Sequence, residues 1–143
     1  MIRKMREDEI DQVMEIWITS VIEGHSPFIE AKYWRSHEKQ VREEYMPQAE
    51  IWVCEEEGVL KGFVALISGR HIGAFFVDPM YFREGVGTRM MLWCQLTHRE
   101  LTLAVMAENK RALDFYESFD FQIGVEQLDE DSGHMEYIMA WKE

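Results

Sequence analysis

Three short runs in this chain are apolar at both of their alternating positions: Ile51-Trp52-Val53-Cys54, Val59 to Ser68, and Ile72 to Val77. A strand with one wet face alternates apolar and polar residues, so strands of this kind are covered on both faces. Helices must supply that cover. Glu56-Glu57-Gly58 reads as the turn of a hairpin between the first two runs, and Gly69-Arg70 separates the third.

The periodicity supplies the helices. Ile10, Val13, Met14, Trp17 and Val21 recur at helical spacing, with Asp8 as the predicted N-cap and an end near Gly24. His25-Ser26-Pro27 breaks that helix. A second is predicted from about Ile29 to Tyr45, with Tyr33, Trp34, His37, Val41 and Tyr45 on one face and Pro47 ending it. From Gly85 the pattern is helical through about Arg99, Leu101 to Val105 is a buried strand, and Asn109 opens a further helix to about Ser118. Strands follow around Phe121 to Leu128 and Met135 to Trp141, and a short one near Ile2 to Met5 opens the chain. The order is strand, two helices, three strands, helix, strand, helix, two strands. This is a mixed α/β chain with helices on both faces of a sheet, and its 143 residues read as one domain, 1–143.

The net charge of −12 repels phosphate backbones and anionic lipid, so no nucleic-acid or membrane partner is expected, while a cationic partner would be attracted. Cys54 and Cys94 lie far apart with no Cys-x-x-Cys or nearby His, so neither a disulfide framework nor a metal site is indicated. Both read as buried thiols of a reducing compartment. The opening Met1-Ile2-Arg3-Lys4-Met5-Arg6 lacks the apolar core of a signal peptide, which makes a cytoplasmic location the expectation.

Two segments carry chemistry. Phe76-Val77-Asp78-Pro79-Met80-Tyr81-Phe82-Arg83-Glu84-Gly85-Val86-Gly87-Thr88 runs from a strand through a Pro-punctuated loop into a glycine-opened helix. The first turn of such a helix has free N–H groups at the positive end of its dipole, and glycines let an anion approach the main chain, so a phosphate fits there. Glycines also serve tight strand-to-helix turns. A P-loop is excluded because no Gly-Lys-Ser/Thr follows, and Met90 stands where a dinucleotide fingerprint needs its third glycine. The second segment is Asn109-Lys110-Arg111-Ala112-Leu113-Asp114-Phe115-Tyr116-Glu117-Ser118-Phe119-Asp120-Phe121, with Asn109 as a helix N-cap and Tyr116 seven residues on, on nearly the same face. Tyr116 is either a core aromatic or a hydroxyl with work to do.

Together the two segments resemble the GNAT superfamily of N-acetyltransferases, over about Ile72 to Phe121. The first is similar to its Gln/Arg-x-x-Gly-x-Gly/Ala pyrophosphate motif and the second to its Asn-x-x-Ala-x-x-Phe-Tyr-x-x-x-Gly-Phe motif. The resemblance implies a mostly antiparallel, twisted sheet of about seven strands, splayed in the middle. It also implies transfer of an acetyl group from acetyl-CoA, the cosubstrate, to an amine by direct attack, with no metal. Under it, Arg83, Glu84, Gly85, Val86, Gly87, Thr88 and Asn109 contact the cosubstrate, and the backbone of Phe75, Phe76 and Val77 holds the thioester carbonyl. Tyr116 takes the general-acid position. A lysine-type amine has a pKa of about 10.4 and must lose a proton before it attacks. His71 is nominated as the base because it begins the strand that ends at Val77.

The acceptor is expected to be a protein lysine, a protein N-terminus or a small amine, and the chain a monomer or homodimer. The first two helices, with Met14, Trp17, Ile22, His25, Phe28, Tyr33 and Trp34, wall the acceptor site in that family. Phe82 stands in the Gln/Arg place of the first motif, and Asp120 in the Gly place of the second. These departures keep a catalytically silent CoA-binding regulatory module as the alternative. A nucleotide at the Gly85 junction is a third possibility.

Overall fold

All the predicted strands and helices are present in the computed structural model, which describes residues 1–143. The elements are β1 (Ile2–Lys4), α1 (Ile10–His25), α2 (Ala31–Gln40), β2 (Glu50–Glu56), β3 (Val59–Ile67), β4 (His71–Val77), α3 (Val86–Thr97), β5 (Glu100–Met106), α4 (Lys110–Ser118), β6 (Gln122–Asp129) and β7 (His134–Lys142). One sheet has the order β1-β2-β3-β4-β5-β7-β6, antiparallel at every junction except β4 with β5.

The double-sided apolar pattern resolves into two cores. Along β3, Phe63 and Ala65 join Val13, Ile16 and Trp17 of α1, while Val64 and Leu66 join Met90, Met91 and Cys94 of α3. Successive side chains of a strand point to opposite faces, so one strand feeds both layers. β6 escapes the pattern: it is an edge strand, and Ile123, Val125 and Leu128 stay exposed. Both cysteines are free and buried. No helix is long and apolar enough to cross a membrane.

Two local departures have physical reasons. Asp8 does not cap α1; Glu7–Glu9 form a 3-10 turn, and Glu9 is the acidic residue put to use. Its carboxylate accepts two bonds from Arg3, at 2.9 and 2.7 Å, and one from the Arg6 N–H at 2.8 Å, while Arg3 also donates to Glu55 at 2.7 Å. The predicted second helix starts at Ala31, and its last turn, Val41–Tyr45, is π-wound. Tyr45 there packs its hydroxyl where a Cβ on Gly73 would collide with it. Gly73 is an extra residue in β4, because Leu66 pairs with Ile72 and Ala65 with Ala74.

Candidate active site

β4 and β5 pair only at His71 with Thr102 and Ile72 with Leu103, and beyond these two pairs the strands diverge. A cleft of about 1180 Å³ opens between them. Ladder alternation decides which backbone groups face it. The Asp78 N–H donates to the Lys61 carbonyl, so by twos Phe76 and Ala74 turn their polar groups to β3, whereas Phe75 and Val77 turn theirs away from it, toward the cleft. Likewise the Ala107 N–H donates to the Met135 carbonyl, which leaves Ala104 and Met106 facing away from β7. The Ser20 hydroxyl of α1 donates to the Val77 carbonyl at 3.1 Å and so ties α1 to the end of β4.

At the other wall of the cleft α3 begins. Gly85 precedes it with φ 78° and offers no side-chain cap, so the N–H groups of Val86, Gly87 and Thr88 are free at the positive end of the helix. A Cβ on Gly87 would sit 3.4 Å from the Phe115 ring, so glycine keeps α3 close to α4. Arg83, Lys110 and Arg111 also line this end. In an acidic chain they gather cationic charge where an anion would lie.

Tyr116 is fixed from both ends of α4. The Asn109 side chain accepts the Ala112 N–H at 3.2 Å to cap the start. At the finish the Phe121 N–H donates to the Tyr116 carbonyl and the Asp120 N–H to the Glu117 carbonyl, the paired bonds of a Schellman motif with Asp120 left-handed at φ 70°. The Tyr116 ring packs against Phe75, Phe115 and Phe121 with centroids 6.1, 5.6 and 5.9 Å away. Its hydroxyl has no protein partner and borders the cleft; burial, with the Cys94 thiol adding, raises its pKa above the ordinary value of 10.0, so it stays protonated.

Residues 18–141 match the acetyltransferase (GNAT) domain model. The chain belongs to the GNAT acetyltransferase family. It is 38% identical over 141 residues to peptidyl-lysine N-acetyltransferase YiaC of Escherichia coli strain K12, covering 99% of this chain and 96% of that one. It is 33% identical over 122 residues to peptidyl-lysine N-acetyltransferase YjaB of the same organism, covering 85% and 82%. The solution structure of apo YjaB superposes with a TM-score of 0.84 at 29% identity, over 99% of this chain and 96% of that one. The PaiA N-acetyltransferase of Thermoplasma acidophilum, in complex with coenzyme A, shares the fold at a TM-score of 0.83 and 17% identity, over 100% and 98%.

As a GNAT enzyme the chain transfers an acetyl group from acetyl-CoA to an amine. Its own residues fit that cosubstrate. The uncapped first turn of α3, the three cationic side chains beside it and the open edge of β4 provide in turn for phosphate, charge and an amide-bearing chain. Neither departure from the GNAT motifs disturbs the frame. Asp120 adopts the left-handed conformation the position demands, and Phe82 carries the Arg111 guanidinium 4.4 Å from its ring centroid.

Among the residues expected in the GNAT site, Phe75, Phe76, Val77, Arg83, Gly85, Val86, Gly87, Thr88, Asn109 and Tyr116 all line the one cleft. Glu84 does not: its carboxylate pairs with Lys61 at 2.9 Å, and only its carbonyl serves locally, accepting from Arg89. His71 does not either. It sits at the joined end of the strands, its Nδ1 2.8 Å from the Thr102 hydroxyl, and the cleft opens only past the next residue pair. Nothing local in the sequence marks Arg111, because its place opposite Phe82 is a tertiary contact between segments 29 residues apart in number. The signal available is an arginine in the second motif while Phe82 fills the Gln/Arg place of the first.

Proposed function

We infer that the acceptor is the ε-amine of a lysine borne by a protein, that Tyr116 is the general acid, and that one domain, 1–143, carries both substrate sites. The observation that carries the reading is convergence: the cleft-facing edge of Phe75 and Val77, the uncapped turn of Gly85 to Thr88 and the unpartnered Tyr116 hydroxyl border one cavity. In it, the phosphates rest on the backbone of Gly85 to Thr88 with Arg83 and Arg111 adding charge. A backbone N–H of Phe75 or Val77 meets the oxygen of the tetrahedral intermediate, and Tyr116 delivers a proton to the departing sulfur. Asn109 holds the start of α4 so that Tyr116 faces that sulfur.

Supporting the lysine acceptor are the two Escherichia coli relatives, both peptidyl-lysine N-acetyltransferases, and the character of the far wall. There Trp17, Phe28 and Trp34 offer apolar faces to an alkyl stem, and Glu23, Glu108 and Glu136 offer negative charge to an ammonium. The free buried thiols fit a reducing, cytoplasmic setting.

The test is thiol release from acetyl-CoA over Nα-blocked lysine peptides, peptides with a free N-terminus only, and polyamines. Turnover concentrated on the lysine peptides is expected. Turnover confined to either of the other two classes would overturn the acceptor assignment.

A further inference from the structure

The reaction needs a group that takes a proton from the incoming ammonium, and the cleft is lined by a histidine, His25, with one ring nitrogen unpartnered. It is the last residue of α1, and only 8% of its surface is exposed. Its Nδ1 lies 2.7 Å from the Val21 carbonyl. A carbonyl only accepts, so Nδ1 carries the hydrogen and Nε2 bears the lone pair. Nε2 has no hydrogen-bond partner in the protein, yet it is not sealed: Trp34 Nε1 is the one sealed side-chain polar atom without a partner. His25 lines the cleft, and Nε2 is its unsealed, unpartnered ring nitrogen.

The neighbours place it at the reacting end. The Ser20 hydroxyl ties α1 to the Val77 carbonyl one turn earlier, and a Cβ on Gly24 would lie 3.7 Å from Asn109 Nδ2, the cap of the helix that carries Tyr116. The imidazole stands between Trp34 and Phe28, with ring centroids 4.9 and 5.6 Å away.

We propose that His25 Nε2 accepts the proton that the bound lysine ammonium must lose before its nitrogen attacks the thioester. This deepens, and rests on, the amine-acceptor reading above. The balance is an alkylammonium plus acetyl-CoA giving an acetamide, free CoA thiol and one proton. The neutral nitrogen attacks to form the C–N bond of a tetrahedral intermediate; as this collapses the C–S bond breaks, the sulfur takes the Tyr116 proton, the second nitrogen proton restores Tyr116, and His25 carries the first to solvent through the cleft. The electrostatic surroundings suit a neutral base. Burial lowers the His25 pKa, the Val21 carbonyl opposes that, and His134 of β7 lowers it further. His134 is itself paired with Glu108 at 2.8 Å, α2 presents the uncharged Trp34, and Glu23 on its own helix and Glu136 on β7 line the same cleft.

The experiment follows kcat for a lysine peptide from about pH 5 to 9 in wild type, His25→Gln and His25→Asn, with acetyl-CoA affinity measured on each to show an intact fold. The wild type is expected to lose activity along an acid limb that lies lower than the ordinary histidine value of 6.5. Both variants should bind acetyl-CoA within about threefold of wild type, turn over at least a hundredfold more slowly near neutrality, lack that acid limb, and recover partly with added imidazole. A variant that binds acetyl-CoA and keeps the acid limb would overturn the assignment, whether its rate is high or low. Wild type that turns over no lysine peptide would sink the acceptor reading itself, a separate failure read before any variant is made.

Discussion

Arg111 holds its guanidinium 4.4 Å from the centre of the Phe82 ring, so the side chain that replaces the family's usual polar residue also props up a cation from the facing helix. On the proposed function Arg111 serves binding of the charged cosubstrate and takes no part in bond making. Arg111→Gln is expected to raise KM for acetyl-CoA about tenfold while leaving kcat within about twofold, the loss of one charge-assisted contact of roughly 1.5 kcal/mol. Steady-state kinetics at varied acetyl-CoA measures it, and an unchanged KM would remove Arg111 from the site.

Tyr116→Phe deletes one oxygen and keeps the ring that packs against Phe75, Phe115 and Phe121. The expected result is a fall in kcat of about a hundredfold or more with thermal stability and acetyl-CoA affinity preserved. A variant with wild-type kcat would return the tyrosine to a packing role.

Asp120 sits at φ 70°, where a side chain costs conformational energy that glycine avoids. The Schellman bonds around it are made by the main chain, so they survive replacement. Asp120→Gly should stabilise the fold by roughly 0.5 to 1 kcal/mol, read as a higher urea midpoint with no change in slope.

Glu9 is held by Arg3 and the Arg6 N–H, which bring its pKa down to about 2 from the ordinary 4.5. A carboxylate with a depressed folded-state pKa contributes stability above its unfolded pKa and loses it as pH falls from about 4.5 toward 2. Glu9→Gln should therefore cost roughly 1 to 2 kcal/mol near neutrality, with the gap to wild type closing toward pH 2 to 3. Urea unfolding of both proteins at neutral and acid pH measures the two gaps.

The fold was legible because its strands are apolar on both sides and its helices keep a clean period, so Phe63, Val64, Ala65 and Leu66 announce two covered faces by identity alone. The backbone half of the site was legible for a similar reason, since Gly85 and Asn109 mark helix starts. What escaped the reading was distance across the fold. His71 and Val77 share a strand, but a strand of seven residues has two ends, and nothing local says which end stays joined. His25 looked like one aromatic among several beside a helix break. Its bond to the Val21 carbonyl is local to α1, but only the fold brings His25 to the cleft.

The two halves of the sheet meet through the pairs at His71 and Ile72, yet the side chains beneath are continuous, with Val64, Leu66 and Ile72 on one side of the join touching the same cluster as Leu101, Leu103 and Met139 on the other. The angle between β4 and β5 is thus set by how methyl and sulfur groups interlock under the join more than by hydrogen bonds across it. Close-packed interiors resist compression and pass strain along. Trimming Leu66 or Leu101 would therefore retune the spacing between the acetyl donor and the attacking nitrogen from below, without altering a residue that lines the cleft.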